Sequence, residues 1–217
     1  DGRLPVLTFL PLWGDAANVA GGHAGLASIN RARARFEELR GFADPDRALA
    51  DVQYEVPAER LGGPPEELRS MVEEWMFKRP LPFLAGAAWP GLREVLLQLK
   101  ASGVRLGVFS DYAPESKLEA LGVRDLFDVA LAATDREVNR FKPDPRGFIL
   151  GAERLGAAPG STVYVGDRAD VDGVGAEAAG MPSVILAGEH REGPRTIRIS
   201  SLGELVGRLG RAPERSI

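Results

Sequence analysis

The sequence predicts an α/β fold built on a parallel sheet, and three observations predict it. From about Leu92 onward, short apolar runs alternate with amphipathic helical patterns, the rhythm of strand–helix–strand units. One of those runs ends in a turn rich in aspartate, at the end of the strand where open α/β sheets place their ligands. Ahead of Leu92 the chain lacks this rhythm and reads mainly as helices.

Leu4 to Trp13 is apolar but interrupted by proline, and its pattern supports neither strand nor helix. Ile29 to Leu39 reads as an arginine-rich helix, Arg47 to Tyr54 as a second, and Glu66 to Phe77 as a third. In the third, Leu68, Met71, Val72, Trp75 and Met76 can cover a partner surface. Pro90 opens a helix whose apolar residues Leu92, Val95, Leu96 and Leu99 recur at helical spacing before Gly103 stops it. Val104 to Phe109 is then a strand, Glu115 to Leu121 a helix ended by Gly122, and Phe127 to Ala132 a further strand. Asp144-Pro145 is an N-cap followed by proline at the first helical position, and Phe148, Ala152 and Leu155 form the apolar stripe of that helix. Thr162 to Val165 is a strand, Asp172 to Ala179 a helix and Ser183 to Leu186 a strand. Thr196 to Ile199 is an edge strand, and Leu202 to Leu209 a terminal helix before a fraying tail from Gly210 to Ile217.

Composition narrows the function. A chain of 217 residues, 44% hydrophobic and 27% charged with 26 glycines and 16 prolines, supports one large core carrying a smaller subdomain. With 31 acidic against 27 basic residues and a net charge of -4, no large positive field is available for nucleic acid. The absence of cysteine removes disulfides, thiolate nucleophiles and cysteine-ligated zinc together. The two histidines are too few for a conventional zinc site, so any metal is held mainly by oxygen. No apolar stretch reaches the length of a membrane span and no leader pattern opens the chain, so a cytoplasmic protein is expected. The first residue is Asp1 and not methionine, so residues before it are expected in the whole protein.

The strongest local signal is VYVGDRADVDGVGAEAAGMP, from Val163 to Pro182. A strand delivers Asp167 to its C-terminal tip and Asp172 follows five residues later, so the two carboxylates can share one hard cation together with waters and a phosphate oxygen. The alternative is that both aspartates cap the following turn and helix. Asp170, between them, reads as a solvated turn residue. Ser110 closes an earlier strand, where its hydroxyl can donate to a phosphate oxygen, although serine at a strand end is often structural. Lys142 precedes a helix start, whose positive end favours anions. Its place is explained if it holds a phosphate or compensates neighbouring carboxylates, and otherwise it is an exposed loop lysine.

In this order, serine at one strand end, lysine in a later loop and a paired-aspartate turn, the chain resembles the haloacid-dehalogenase-like hydrolase superfamily, and within it the capped phosphoglycolate-phosphatase-like members. The match runs from Pro90 to about Leu186 and, more weakly, over Asp1-Gly2-Arg3-Leu4, set against the family's Asp-x-Asp-Gly-Thr motif. The resemblance implies a Rossmann-like core formed by residues 1–12 and 88–217, with an inserted helical cap of the C1 type at 13–87. It implies that Asp1 is the second aspartate of the motif, a general acid and base and a metal ligand, with the nucleophilic aspartate two residues upstream. Ser110 and Lys142 would be catalytic and phosphate-binding, Asp111 and Arg168 would line the substrate site, and Asp167 and Asp172 would join Asp1 in holding magnesium. The reaction implied is hydrolysis of a small phosphorylated metabolite through an aspartyl-phosphate.

Three residues depart from the family pattern. Arg3 replaces a threonine, Asp111 follows Ser110 where a neutral residue is common, and Arg168 follows Asp167 where serine or threonine is common and is expected to pair with Asp111 or extend toward a phosphate. Two arrangements are open for the central strand: residues before Asp1 supply it, or Val6 to Leu10 fill its place and the nucleophile is lost. The first is the preferred expectation, a magnesium-dependent phosphatase; the second gives a non-catalytic binding or interaction protein. A dehalogenase, which needs no metal, has little use for the acidic pair, and a phosphomutase needs a second phosphate site that the sequence does not reveal. Arg31, Arg33, Arg35 and Arg40 read as a solvated helix face that can also reach an anionic substrate. Trp13, Trp75, Phe77, Trp89 and Tyr112 read as core or hinge packing. Monomer and homodimer are both compatible with the sequence.

Overall fold

The computed structural model describes Val6–Thr8, residues 37–186 and residues 195–209. The part of the expected arginine-rich helix up to residue 36, Trp13, Asp1 and Arg3 lie outside the described residues, as do the two histidines, His23 and His190, and the tail from Gly210. Six strands, β1 Val6–Thr8, β2 Leu106–Ser110, β3 Val129–Ala132, β4 Val163–Gly166, β5 Ser183–Leu186 and β6 Thr196–Ile199, form one sheet of order β3-β2-β1-β4-β5-β6. Every neighbouring pair is parallel, so the C-terminal ends of β2 and β4 flank the end of β1 on one edge of the sheet. The strand order reverses direction at β1, the kind of switch point at which open α/β sheets leave a crevice for a ligand. Val6–Thr8 thus lies between β2 and β4, in register with Leu106–Val108 and Val163–Val165.

Strand pleating sorts the core into two apolar layers. On one face, Leu106 and Val108 of β2, Val163 and Val165 of β4 and Val184 and Leu186 of β5 cluster with Leu92, Val95, Leu96 and Leu99 of α4 (Leu92–Ala101). Leu205 of the last helix, Gly203–Leu209, joins the same layer. The intervening residues Phe109 and Tyr164 face the other layer, with Phe148 and Ala152 of the helix Arg146–Arg154 and Ala176 of the helix Val174–Ala178. Phe148 sits edge-on to Phe109 at 5.2 Å and tilted against Tyr164 at 4.5 Å, the offset aromatic geometry that ring quadrupoles favour.

Between β1 and β2 come the helices α1 Leu49–Leu61, α2 Pro65–Val72 and α3 Leu81–Ala87, with a π-helical stretch, Glu73–Lys78, between the last two. The helix expected to stop at Tyr54 runs on to Leu61, through Pro57. Burial of Val52, Tyr54, Pro57 and Ala58 on one side compensates the donor that proline removes. The sequence reading did not include α3, although Pro80 before it and Pro82 in its first turn are helix-start residues. Leu49, Val52, Tyr54, Leu68 and Val72 belong to the same apolar cluster as Phe109 and Tyr164, so the helical insertion is continuous with that layer of the core. Phe77 meets Tyr112 at 5.3 Å and Tyr112 meets Phe141 at 5.9 Å, an aromatic seam between the insertion and the loops at the strand ends. The helix expected from Asp172 begins at Val174, because Ala169–Gly173 forms a π-helical turn first. In the helix after Asp144-Pro145 the boundary residue is Pro145, and Asp144 caps by accepting the Arg146 N–H at 2.9 Å. Among the described residues no helix is long and apolar enough to cross a membrane.

Gly147 marks the tightest helix–sheet contact, since a Cβ there would lie 2.1 Å from the ring of Phe109, which is fully buried. Gly147→Ala is expected to overpack this layer and lower stability by about 1–3 kcal/mol, measured as a shift in the urea midpoint at unchanged slope.

Candidate active site

Ser110 and Gly166 end β2 and β4, and each hands the chain to a turn that carries charge. Ser110 is buried; its Oγ accepts the Tyr112 N–H at 3.3 Å, and its carbonyl accepts the Ala133 N–H at 2.7 Å. After Gly166 the chain folds back so closely that a Cβ at that position would lie 2.5 Å from the Asp172 side chain, which leaves glycine the residue that fits. Asp172 Oδ2 accepts the N–H groups of Asp167 at 3.2 Å and of Arg168 at 3.1 Å, tying down the turn that Gly166 permits.

Asp172 Oδ1 faces inward and accepts from Lys142 Nζ at 2.7 Å. Both side chains are almost completely buried, at 3% and 1% exposure. A buried charge persists only with a partner and hydrogen bonds, and here each supplies the other's. The hydroxyl of Tyr164 completes the group, 3.3 Å from Asp172 Oδ1, 3.4 Å from Lys142 Nζ and 3.4 Å from the Phe109 carbonyl oxygen. Burial, reinforced by the neighbouring Asp172 charge, raises the Tyr164 pKa and keeps the phenol protonated. Lys142 is therefore not an exposed loop lysine. The sequence reading also missed Tyr164, which there reads only as an apolar-run residue of the strand.

Asp167 lies beside this pair and differs from it. Its Oδ1 is buried with no hydrogen-bond partner. Burial first and the negative charge of Asp172 second push its carboxyl from 3.8 up to about 6, against the opposing pull of Lys142. Such an oxygen, desolvated and without a donor, is a fitting ligand for a hard cation. Among the described residues no third carboxylate or histidine joins Asp167 and Asp172. Both oxygens of Asp172 are already engaged, so the residues present suit a cation held by Asp167 with Asp172 as its anchor and neighbour.

The rim does not follow the expected pairing. Arg168 reaches Glu37 at 3.0 Å and Asp170 at 2.7 Å, and not Asp111. Asp111 instead accepts from Arg40 at 2.9 Å and from the Lys142 N–H at 3.2 Å. Glu37 also bonds Arg40, and hydrogen bonds from Arg40 and then Arg168, outweighing burial, lower its pKa to about 2. Asp170 is thus ion-paired, and Arg40 is no solvated-face residue. Glu37 lies three residues before it, but its partners Asp111 and Lys142 are distant in sequence, so no local pattern could have named them.

Two outcomes follow from this geometry. Lys142→Met strands the Asp172 carboxylate and is expected to cost about 3–5 kcal/mol; adding Asp172→Asn to that variant should recover part of the loss, as chemical denaturation will show. Between about pH 3.8 and about 6 the folded chain holds a proton on Asp167 that the unfolded chain has released, so this carboxyl makes stability fall as pH rises through that window. In metal-free buffer, Asp167→Asn should gain on the native chain across the same window and keep a constant advantage above it, read from thermal midpoints at a series of pH values.

The chain was also compared with known proteins. A family model described as haloacid dehalogenase-like hydrolase matches residues 19–180. Glyceraldehyde 3-phosphate phosphatase of Methanopyrus kandleri is 39% identical over 108 residues, 48% of this chain and 46% of that protein. The enzyme of the same name from Methanocaldococcus jannaschii is 36% identical over 126 residues, 54% of each. The chain spans about half the length of these curated relatives. Phosphoserine phosphatase of Thermus thermophilus is 28% identical over 179 residues, 78% of this chain and 67% of that protein. Among solved structures, an L-2-haloacid dehalogenase from Xanthobacter autotrophicus superposes with a TM-score of 0.67 at 20% identity, covering 94% of this chain and 97% of that one. A beta-phosphoglucomutase from Clostridium difficile gives 0.64 at 20% identity over 94% and 92%. These two share the fold. The family model extends over most of the chain, including the Ser110, Lys142 and Asp167–Asp172 positions, and the chain belongs to the haloacid dehalogenase-like hydrolases.

Proposed function

We propose that this chain is a magnesium-dependent phosphomonoester hydrolase acting on a small phosphorylated metabolite. The observation that carries the reading is the pairing of a buried ammonium, Lys142 against Asp172, with the unsatisfied Asp167 oxygen beside it, at strand ends that flank β1. A phosphatase has use for both, a fixed cation for the charge on the transferring oxygens and a carboxylate for a metal. The phosphatase relatives from archaea and Thermus thermophilus support the same class, and their named substrates are small.

In this reading Asp167 and Asp1 hold magnesium, with Asp172, whose oxygens are engaged by Lys142 and the turn, anchoring the site beside them; when bound, the ion supplies further positive charge to the phosphate oxygens. The Ser110 hydroxyl donates to a phosphate oxygen and Lys142 neutralises another. In the family's scheme, carried over here, an aspartate two residues before Asp1 attacks phosphorus, and Asp1 gives its proton to the leaving alcohol and takes one back from the water that opens the aspartyl-phosphate; both lie ahead of β1, so the scheme requires the chain before Val6 to bring them to the C-terminal strand ends. Residues 13–87 serve as the cap that excludes bulk water and meets the variable end of the substrate. Arg168 and Asp111, engaged with Glu37, Asp170 and Arg40, act at the rim. A second reading, a binding protein without turnover, is favoured by one observation: the strand between β2 and β4 is Val6–Thr8, which carries no carboxylate.

Phosphate release from a panel of small phosphomonoesters, by protein of verified intact mass, separates the two. Release that requires magnesium and falls 100-fold or more in Asp167→Asn, about the scale of losing an electrostatic contact to the transition state, is the expected result. No release from any ester, with phosphate still bound, would establish the second reading; halide release from 2-haloacids without metal would overturn both.

A further inference from the structure

Lys142 reaches its carboxylate from a loop, and that loop is tied at two points to the helical insertion. Asn139, whose φ of 49° is left-handed, accepts the Leu49 N–H at 2.6 Å and donates to the Arg47 carbonyl at 3.0 Å. Three residues later Arg40 makes the second tie. One terminal nitrogen of its guanidinium, which carries two hydrogens, donates to Asp111 Oδ2 at 2.9 Å and to the Lys142 carbonyl at 2.7 Å. Asp111 Oδ1 accepts the Lys142 N–H at 3.2 Å, closing a ring of three residues. The other terminal nitrogen faces Glu37 at 3.0 Å, and the Arg40 Nε bonds Glu37 as well, so the plane of the guanidinium is set from both sides.

We infer that Arg40 is a positioning residue: by bonding the Asp111 carboxylate and the Lys142 main chain together, it sets where the Lys142 ammonium stands relative to Ser110. The inference rests on the phosphohydrolase reading for its catalytic consequence, and on the ring alone for its structural one. Asp111 follows from the same geometry. A neutral residue there would keep an acceptor for the Lys142 N–H but lose the charge that draws Arg40 across from the insertion. Arg40 itself touches no reacting atom in this assignment; it acts through Lys142. Misplacing a charged group by about 1 Å can cost about 100-fold in rate, so the ring governs turnover and leaves binding nearly alone.

The test combines amide exchange with kinetics on the intact chain. In Arg40→Met, exchange of the Lys142 amide should accelerate at least tenfold while the Val165 amide in β4 keeps its rate, and kcat should fall by about 10- to 100-fold with KM changed less than twofold. Arg40→Lys, which carries charge but no planar fork, should recover less than half of the lost kcat. Asp111→Asn should lower kcat without adding to the effect of Arg40→Met, and Arg208→Met, on the exposed face of the last helix, should change nothing. Unaltered Lys142 exchange in Arg40→Met overturns the inference, as does a loss confined to KM, which would place Arg40 on the substrate. Should Arg40→Met fold poorly, the milder Asp111→Asn decides by the same two readouts. If the native chain releases no phosphate, the phosphohydrolase reading fails, and Lys142 exchange still decides whether Arg40 holds the loop.

Discussion

The structure around the strand ends depends on the ion pair between Lys142 and Asp172. Two charges removed from water cost several kcal/mol each unless their geometry is nearly ideal and their remaining hydrogen-bonding capacity is met. That requirement reaches outward. Asp172 must point one oxygen at the ammonium and the other at the N–H groups of Asp167 and Arg168, which shapes the π-helical turn at Ala169–Gly173. The fold-back leaves room for nothing larger than glycine at position 166. Lys142 in turn needs its loop held in place, which Asn139 and Arg40 do from the insertion side. The charged site and the backbone geometry are one arrangement.

The parallel sheet explains why these groups meet. Its alternation sends Leu106, Val108, Val163 and Val165 to one layer and Phe109 and Tyr164 to the other, and the second layer is the one with which the helical insertion is continuous. The insertion is therefore fixed to the layer that underlies the charged cluster. Apolar packing sets its coarse position, and the aromatic seam of Phe77, Tyr112 and Phe141 with the polar ties of Arg40 and Asn139 sets the fine one.

Much of the sheet was legible in the sequence, because strands buried on both faces write themselves as short apolar runs between glycine and proline stops. Ser183–Leu186 and Thr196–Ile199 are bounded as their residues suggest. Val6–Thr8 was legible only as the less favoured of two arrangements for the central strand: prolines at both flanks blur its pattern, and its strand character comes from pairing with β2 and β4, whereas the preferred expectation puts residues before Asp1 in that place. Within the site, Ser110, Lys142, Asp167 and Asp172 stand out as polar residues at strand ends and loop starts. Tyr164 does not, since a tyrosine in an apolar run looks like core, and only the fold shows its hydroxyl at the ion pair. The long-range partners of Asp111 and Arg168 were out of reach for a plainer reason. They lie 71 and 131 positions away, at Arg40 and Glu37, and no pattern of spacing reports a contact of that range.

Tyr164 belongs at once to the apolar layer, through its ring against Phe148, and to the charged cluster, through its hydroxyl. No boundary therefore separates the part of this molecule that holds it together from the part that performs its chemistry. Any change of charge at the Asp167–Asp172 turn is transmitted to a side chain whose ring is core, so occupancy of the site and cohesion of the fold will be read by the same thermometer.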